Sequence, residues 1–184
     1  MRIILLLMIS MVVGCTSIPR SGSIFSAEVD AIEDKAIVHF YRPSTFFMSV
    51  VEVNVFINEK PELVLSSGTY STKYLDPGKY HFKAKEKPNR YGRYSAVLGD
   101  SIYEFEYELE AGKTYYAVWY PSVAVLSGKY EENFIISNLK NPYSPIEGVL
   151  TDIQAEFGVV SSEFGVSEIS KTNQSNSVVD LERI

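Results

Sequence analysis

Alternation of apolar and polar positions dominates the middle of this chain. In Val51–Ile57, Val51, Val53, Val55 and Ile57 fall on one side while Glu52 and Asn54 take the other, the period of a half-buried β-strand. The same reading gives a strand in "KAIVHFYRP", stopped by Pro43, and a short one around Glu62 to Leu65 after the turn Asn58-Glu59-Lys60-Pro61. "SSGTYSTKYLDPGKYHFKAK" reads as a hairpin, because Asp76-Pro77-Gly78-Lys79 offers Pro where φ near −65° is wanted and Gly where a type II turn needs positive φ.

After a loop of charged and small residues, "IYEFEYELE" puts Tyr103, Phe105, Tyr107 and Leu109 on one face and Glu104, Glu106, Glu108 and Glu110 on the other. Ala111-Gly112 turns the chain into "KTYYAVWY", and "NFIIS" is the last strand. Seven or eight short strands separated by turn signals predict an all-β fold, an antiparallel sandwich or barrel, of which the β-sandwich is the expected form.

Helical spacing is confined to the C-terminal part. Ser144-Pro145-Ile146-Glu147 has the form of a capping box, and Ile146, Val149, Leu150, Ile153 and Phe157 follow as an apolar stripe ended by Gly158. The pattern therefore predicts one helix over 144–158, packed on the sheet. "EFGV" recurs at Glu156–Val159 and Glu163–Val166, too short a repeat for a solenoid. The Ser/Asn-rich remainder, 159–184, reads as a flexible tail.

The N-terminus follows a different pattern. Ile3 to Val13 is apolar apart from Ser10, about half the roughly 20 residues a membrane-spanning helix needs. With Arg2 in front and small residues behind, it matches the plan of a secretory signal. Val12-Val13-Gly14-Cys15 resembles the lipobox of bacterial lipoproteins. That resemblance implies cleavage between Gly14 and Cys15, acylation of Cys15, and anchoring by two or three lipid chains, since one chain alone holds a protein only marginally. Thr16, in place of the Asp that tends to retain such proteins in the inner membrane, directs the expectation to the outer membrane, facing the periplasm. The expected organisation is thus a signal peptide at 1–14, a lipidated tether at 15–34, a sandwich at 35–140, the helix and the tail.

Composition sharpens this picture by exclusion. Tyr (13) and Phe (10) crowd into the strand region, as pleated surfaces favour. The net charge of −6 argues against nucleic acid as a partner, which needs a basic patch. Cys15 is the sole cysteine, so the fold relies on its core rather than on a disulfide.

Candidate chemistry is sparse. His39 and His81 both fall within strands. Gly99-Asp100-Ser101-Ile102 invites a hydrolase reading with Ser101 as nucleophile, but neither histidine follows it, and a serine nucleophile needs a base in reach. The glutamate ladder diverges along its strand instead of converging on a cation. Lys79, Lys83 and Lys85 on the preceding strand are its expected cross-strand partners. Tyr115, Tyr116, Trp119 and Tyr120 alternate, so one pair is expected in the core and the other is the candidate ligand face for a glycan or peptide. No catalytic group, metal or cofactor is expected; the expected partners are the membrane, through the lipid, and an envelope protein or glycan.

The blocks "IVHFYRPS", "VFINEK", "GTYSTKYLDPGKYHF" and "LEAGKTYYAVWY" resemble, in order, those of a domain-of-unknown-function family of small bacterial lipoproteins, similar in style to PEGA-type β-sandwich modules. The resemblance spans about 35–140 and implies a sandwich in the cell envelope without assigning catalytic residues. It accords with a non-enzymatic interaction or scaffolding module, the glycan- or peptide-binding module being the alternative.

Overall fold

The computed structural model describes residues 22–26, 32–45, 48–87, 102–123, 130, 132–138 and 153–175. The expectations for Cys15, for Ser101 and for the helical segment 144–152 lie outside these residues.

Among the described residues ten strands form two sheets: β1 (Ala36–Arg42), β2 (Glu52–Ile57), β3 (Lys60–Leu65), β4 (Thr69–Leu75), β5 (Gly78–Lys87), β6 (Ile102–Leu109), β7 (Thr114–Val123), β8 (Phe134–Ser137), β9 (Ile153–Val160) and β10 (Asn173–Gln174). One sheet has the order β10-β4-β1-β7-β9-β8 and the other β3-β2-β5-β6. This is an all-β sandwich, and among the described residues its helix is α1 (Ser162–Ile169). Most pairings are antiparallel, but β1 runs parallel to β7 and β10 parallel to β4.

The interior between the sheets is filled by one face of each strand. Ala36, Val38 and Phe40 of β1 meet Val53, Val55 and Ile57 of β2, Phe82 and Ala84 of β5, Phe105 of β6, and Trp119 and Phe157. A second cluster covers the outer face of the six-stranded sheet, where Tyr41, Tyr70, Tyr116, Val118 and Tyr120 pack with Phe25, Tyr130 and Ile169. The central strand β1 is therefore buried along its whole length, as expected of strands covered on both faces.

Three expectations change. The "TYSTKYLDPGKYHFKAK" segment turns, and Gly78 has the positive φ (146°) its position calls for, but β4 and β5 do not pair. β4 joins β1 and β5 joins β2 and β6, so Asp76-Pro77 carries the chain from one layer to the other, as Glu110–Lys113 does between β6 and β7. Turn chemistry sets a local reversal; which sheet each arm joins depends on where its apolar face finds cover. A tight hairpin is formed instead by β2–β3, through Asn58 (φ 48°) and Glu59 (φ 65°), the paired positive φ of a type I′ turn.

Second, 153–158 is not helical. These residues begin β9, and Ala155, Phe157 and Val159 point into the interior. Positions four apart, such as 153 and 157, share a face at a period of 2 as well as at 3.6, so the stripe did not discriminate. Gly158 is a close-approach residue rather than a helix stop: a Cβ there would meet Ile136 O at 2.1 Å. Third, residues 159–175, expected to open a flexible tail, are built rather than loose, since they complete β9 and supply α1 and β10; the rest of that expected tail, 176–184, lies outside the described residues.

Candidate functional site

The residues singled out in the sequence separate into packing, surface and interior groups. All four aromatics of β7 are buried: Tyr115 is 9% exposed, Tyr116 6%, Trp119 0% and Tyr120 6%. Alternation divides them as expected, with Tyr115 and Trp119 between the sheets and Tyr116 and Tyr120 on the outer face. That outer face is roofed. Tyr120 stacks on Tyr130 at 3.9 Å, and Gly165 of α1 sits so close to Tyr116 that a Cβ would lie 2.4 Å from its ring. The exposed aromatic ligand face expected here is not formed by these side chains, because a helix that the alternation could not reveal covers it.

The charged face behaves as a surface ladder. β5 and β6 pair with Lys79 opposite Glu108, His81 opposite Glu106 and Lys83 opposite Glu104. The ion pairs run diagonally, Lys79 to Glu106 at 2.6 Å and His81 Nε2 to Glu104 at 3.4 Å. Lys83 and His81 also meet Glu59 from the β2–β3 turn, which holds the Glu59 carboxyl below its usual range. No group of three Cys, His, Asp or Glu side chains converges on a metal position among the described residues.

His39 is 1% exposed. Its Nδ1 lies 2.8 Å from Thr72 Oγ1 on the opposite strand β4. Histidine beside a hydroxyl has the outline of a base and nucleophile, but Phe25 caps the ring edge-on at 4.9 Å and Tyr116 lies at 5.3 Å. Burial lowers its pKa to about 4. The pair is a sealed cross-strand contact.

The group that sequence reasoning passed over centres on Arg42. It ends β1 on the same face as Val38 and Phe40, and is 0% exposed. Its Nη1 donates to the carbonyl of Val51 and its Nη2 to that of Met48, and its guanidinium lies 4.6 Å from the centroid of the Trp119 ring. Met48 has positive φ (59°), uncommon for a bulky residue. The arginine thereby holds the strained entry to β2 against the sheet. Edge-on to Trp119 stands Tyr103, whose hydroxyl donates to Glu86 at 3.0 Å. Burial depresses Arg42 to about 10 and raises Glu86. Arg42 Nε and Trp119 Nε1 find no hydrogen-bond partner among the described residues.

Among the described residues this is an unusual polar constellation: a buried cation over the Trp119 ring, with two carbonyls as its partners. Chemically it is a clamp, offering donors and a positive charge. The block "HFYRP" hid it because an arginine before a proline reads as the solvated end of a strand. Only the second sheet and the 48–51 loop, distant from Arg42 in pairing though near in sequence, make the position interior.

Residues 32–128, more than half of the chain, match the family described as protein of unknown function (DUF2846). No curated protein and no solved structure matches the chain.

Proposed function

Because the chain belongs to the DUF2846 family of proteins of unknown function, we propose its role from its own build: a lipid-anchored envelope protein whose sandwich serves as a non-enzymatic interaction or scaffolding module. The observation that carries the reading is Val12-Val13-Gly14-Cys15 directly behind a short apolar run. In that arrangement Cys15 becomes the acylated first residue of the mature protein, and Thr16 directs it to an outer membrane, with the domain in the periplasm. The likeness to PEGA-type sandwich modules belongs to the same reading.

What supports the module over an enzyme is how the reactive residue types are used. His39 is sealed beneath Phe25, His81 is tied into surface ion pairs, and Arg42 clamps backbone carbonyls. The partner is accordingly another envelope component. Mass spectrometry of the native protein should find the chain beginning at Cys15 with added acyl mass, and cross-linking in cells should capture a recurrent envelope partner. A soluble, unmodified chain would overturn the anchor; hydrolase activity lost on Ser101→Ala or His39→Ala would overturn the non-enzymatic role.

A further inference from the structure

Within the stretch expected to be a tether up to residue 34, residues 22–26 are part of the fold. Gly22–Ser26 is docked on the domain: Ile24 bridges Asn173, Gln174 N donates to Ser23 O at 2.8 Å and Phe25 N to Thr172 O. The contact is close enough that a Cβ on Gly22 would fall 2.2 Å from Gln174 O, and Gly22 has φ of 134°, so a glycine is what this approach requires. Phe25 then turns inward, 8% exposed, against His39 and Tyr70. β10 is itself the edge strand of the six-stranded sheet. The N-terminal segment therefore joins the domain along one defined edge.

We propose that this edge, Gly22–Ser26 together with β10, is the membrane-facing side of the domain and rests against phospholipid headgroups. The inference builds on the lipid-anchor reading above. From Cys15 to Gly22 there are seven residue steps, which can span at most about 25 Å. The six-stranded sheet is about 24 Å wide from edge to edge, at about 4.8 Å between neighbouring strands. Turning the far edge, β8, towards the bilayer would lift Gly22 by about that width and demand a nearly taut tether, a small and entropically disfavoured part of its range. The anchored edge stays down.

The chemistry of that edge suits the position. Its exposed residues are Gly22, Ser23, Ile24, Ser26 and Gln174, with the exposed Lys171 just before β10, and Ile24 is 70% exposed. Glu168, the carboxylate partner of Lys171, is buried. Of the exposed carboxylates, Glu59, Glu104 and Glu106 belong to the other sheet, while Glu163 lies on α1 and Asp76 just after β4, outside Gly22–Ser26 and β10. In a chain of net charge −6, the described residues of this edge, Gly22–Ser26 and Asn173–Gln174, bring no carboxylate to an anionic lipid surface, which would repel one.

The test uses the full acylated chain, purified from membranes and reconstituted in phosphatidylethanolamine–phosphatidylglycerol vesicles carrying a headgroup-linked energy acceptor. Ile24→Cys and Ile135→Cys place a fluorophore on the near edge and on β8, where Ile135 is 56% exposed; Cys15, once acylated, does not compete for the label. Energy transfer from position 24 should exceed that from 135 by about twofold, and a flexible insertion of about twenty residues after Ile18 should erase the difference. Equal transfer, or stronger transfer from 135, on protein whose Cys15 carries acyl mass would overturn the orientation and leave the anchor standing. Absence of acyl mass on Cys15 would overturn both.

Discussion

Arg42 carries its charge to a place where burial opposes it, and its contacts show why the fold keeps it there. A guanidinium offers several donors in a fixed fork, so one side chain meets the carbonyls of Met48 and Val51 at once while its face covers Trp119. Arg42→Met should preserve the stem and strand those carbonyls, and a stranded buried acceptor costs about 1–3 kcal/mol. We expect a net loss of about 2 kcal/mol, read from chemical denaturation followed by the fluorescence of Trp119, the sole tryptophan; an unchanged midpoint would mean that relief from burying the charge offsets the lost clamp. His39 gives a pH signature. Its pKa falls from 6.5 to about 4 on folding, so between those values the unfolded chain takes up a proton that the native one refuses. Stability should therefore drop as pH falls from about 6.5 towards 4, by up to about 3 kcal/mol. Glu86, raised by burial, works in the opposite sense, so the comparison of wild type with His39→Gln isolates the histidine: the variant should lack this component of the acid loss, and identical pH profiles would refute it.

At the scale of elements, the tetrapeptide "EFGV" is instructive because it occurs twice with two structures. At Glu156–Val159 it lies within strand β9, with Phe157 and Val159 inside; at Glu163–Val166 it lies within α1, with Phe164 and Val166 against the outer cluster. Four residues do not determine their own conformation; the surface they cover does. The two glycines have parallel duties, each letting one element approach another. Gly165→Ala tests this directly. On an exposed helix the change would stabilise by about 1 kcal/mol, but here the methyl group would collide with Tyr116. We expect α1 to be displaced and stability to fall by about 1–3 kcal/mol, as overpacking does, with faster amide exchange in α1. A stabilised variant would show that the helix is not seated on β7.

Over the whole molecule, the chain closes on itself at one edge, where its N-terminal segment and its last strand meet. Phe25 is the weight-carrying residue of that closure, although the sequence around it reads as a tether. Phe25→Ala should cost about 2–3 kcal/mol, less than a fully enclosed phenylalanine, and should expose His39 and loosen β10. A loss below about 0.5 kcal/mol, the range of ordinary surface substitutions, would return the segment to a passive linker.

How much was legible varies with the kind of information required. Period-2 alternation located β2, β5, β6 and β7, and the lysine–glutamate complementarity of β5 and β6 anticipated their pairing, because both properties reside in neighbouring residues of one or two strands. The twofold division of Tyr115, Tyr116, Trp119 and Tyr120 was likewise a local fact. That both halves are buried was not, since it required α1 and Phe25, from opposite ends of the chain, to cover the outer face. The same holds for Arg42, which becomes interior only when β2 folds across it, and for the turn at Asp76-Pro77, whose arms part because each finds a better partner elsewhere. By itself, then, the sequence determined β1 to β8, the turns and the all-β class, which depend on short-range backbone and side-chain chemistry, but not β9, α1 or β10. Which sheet each strand joins, which polar groups are sealed and which edge carries the N-terminal segment were decided by tertiary structure, because burial is a property of surfaces brought together from distant parts of the chain.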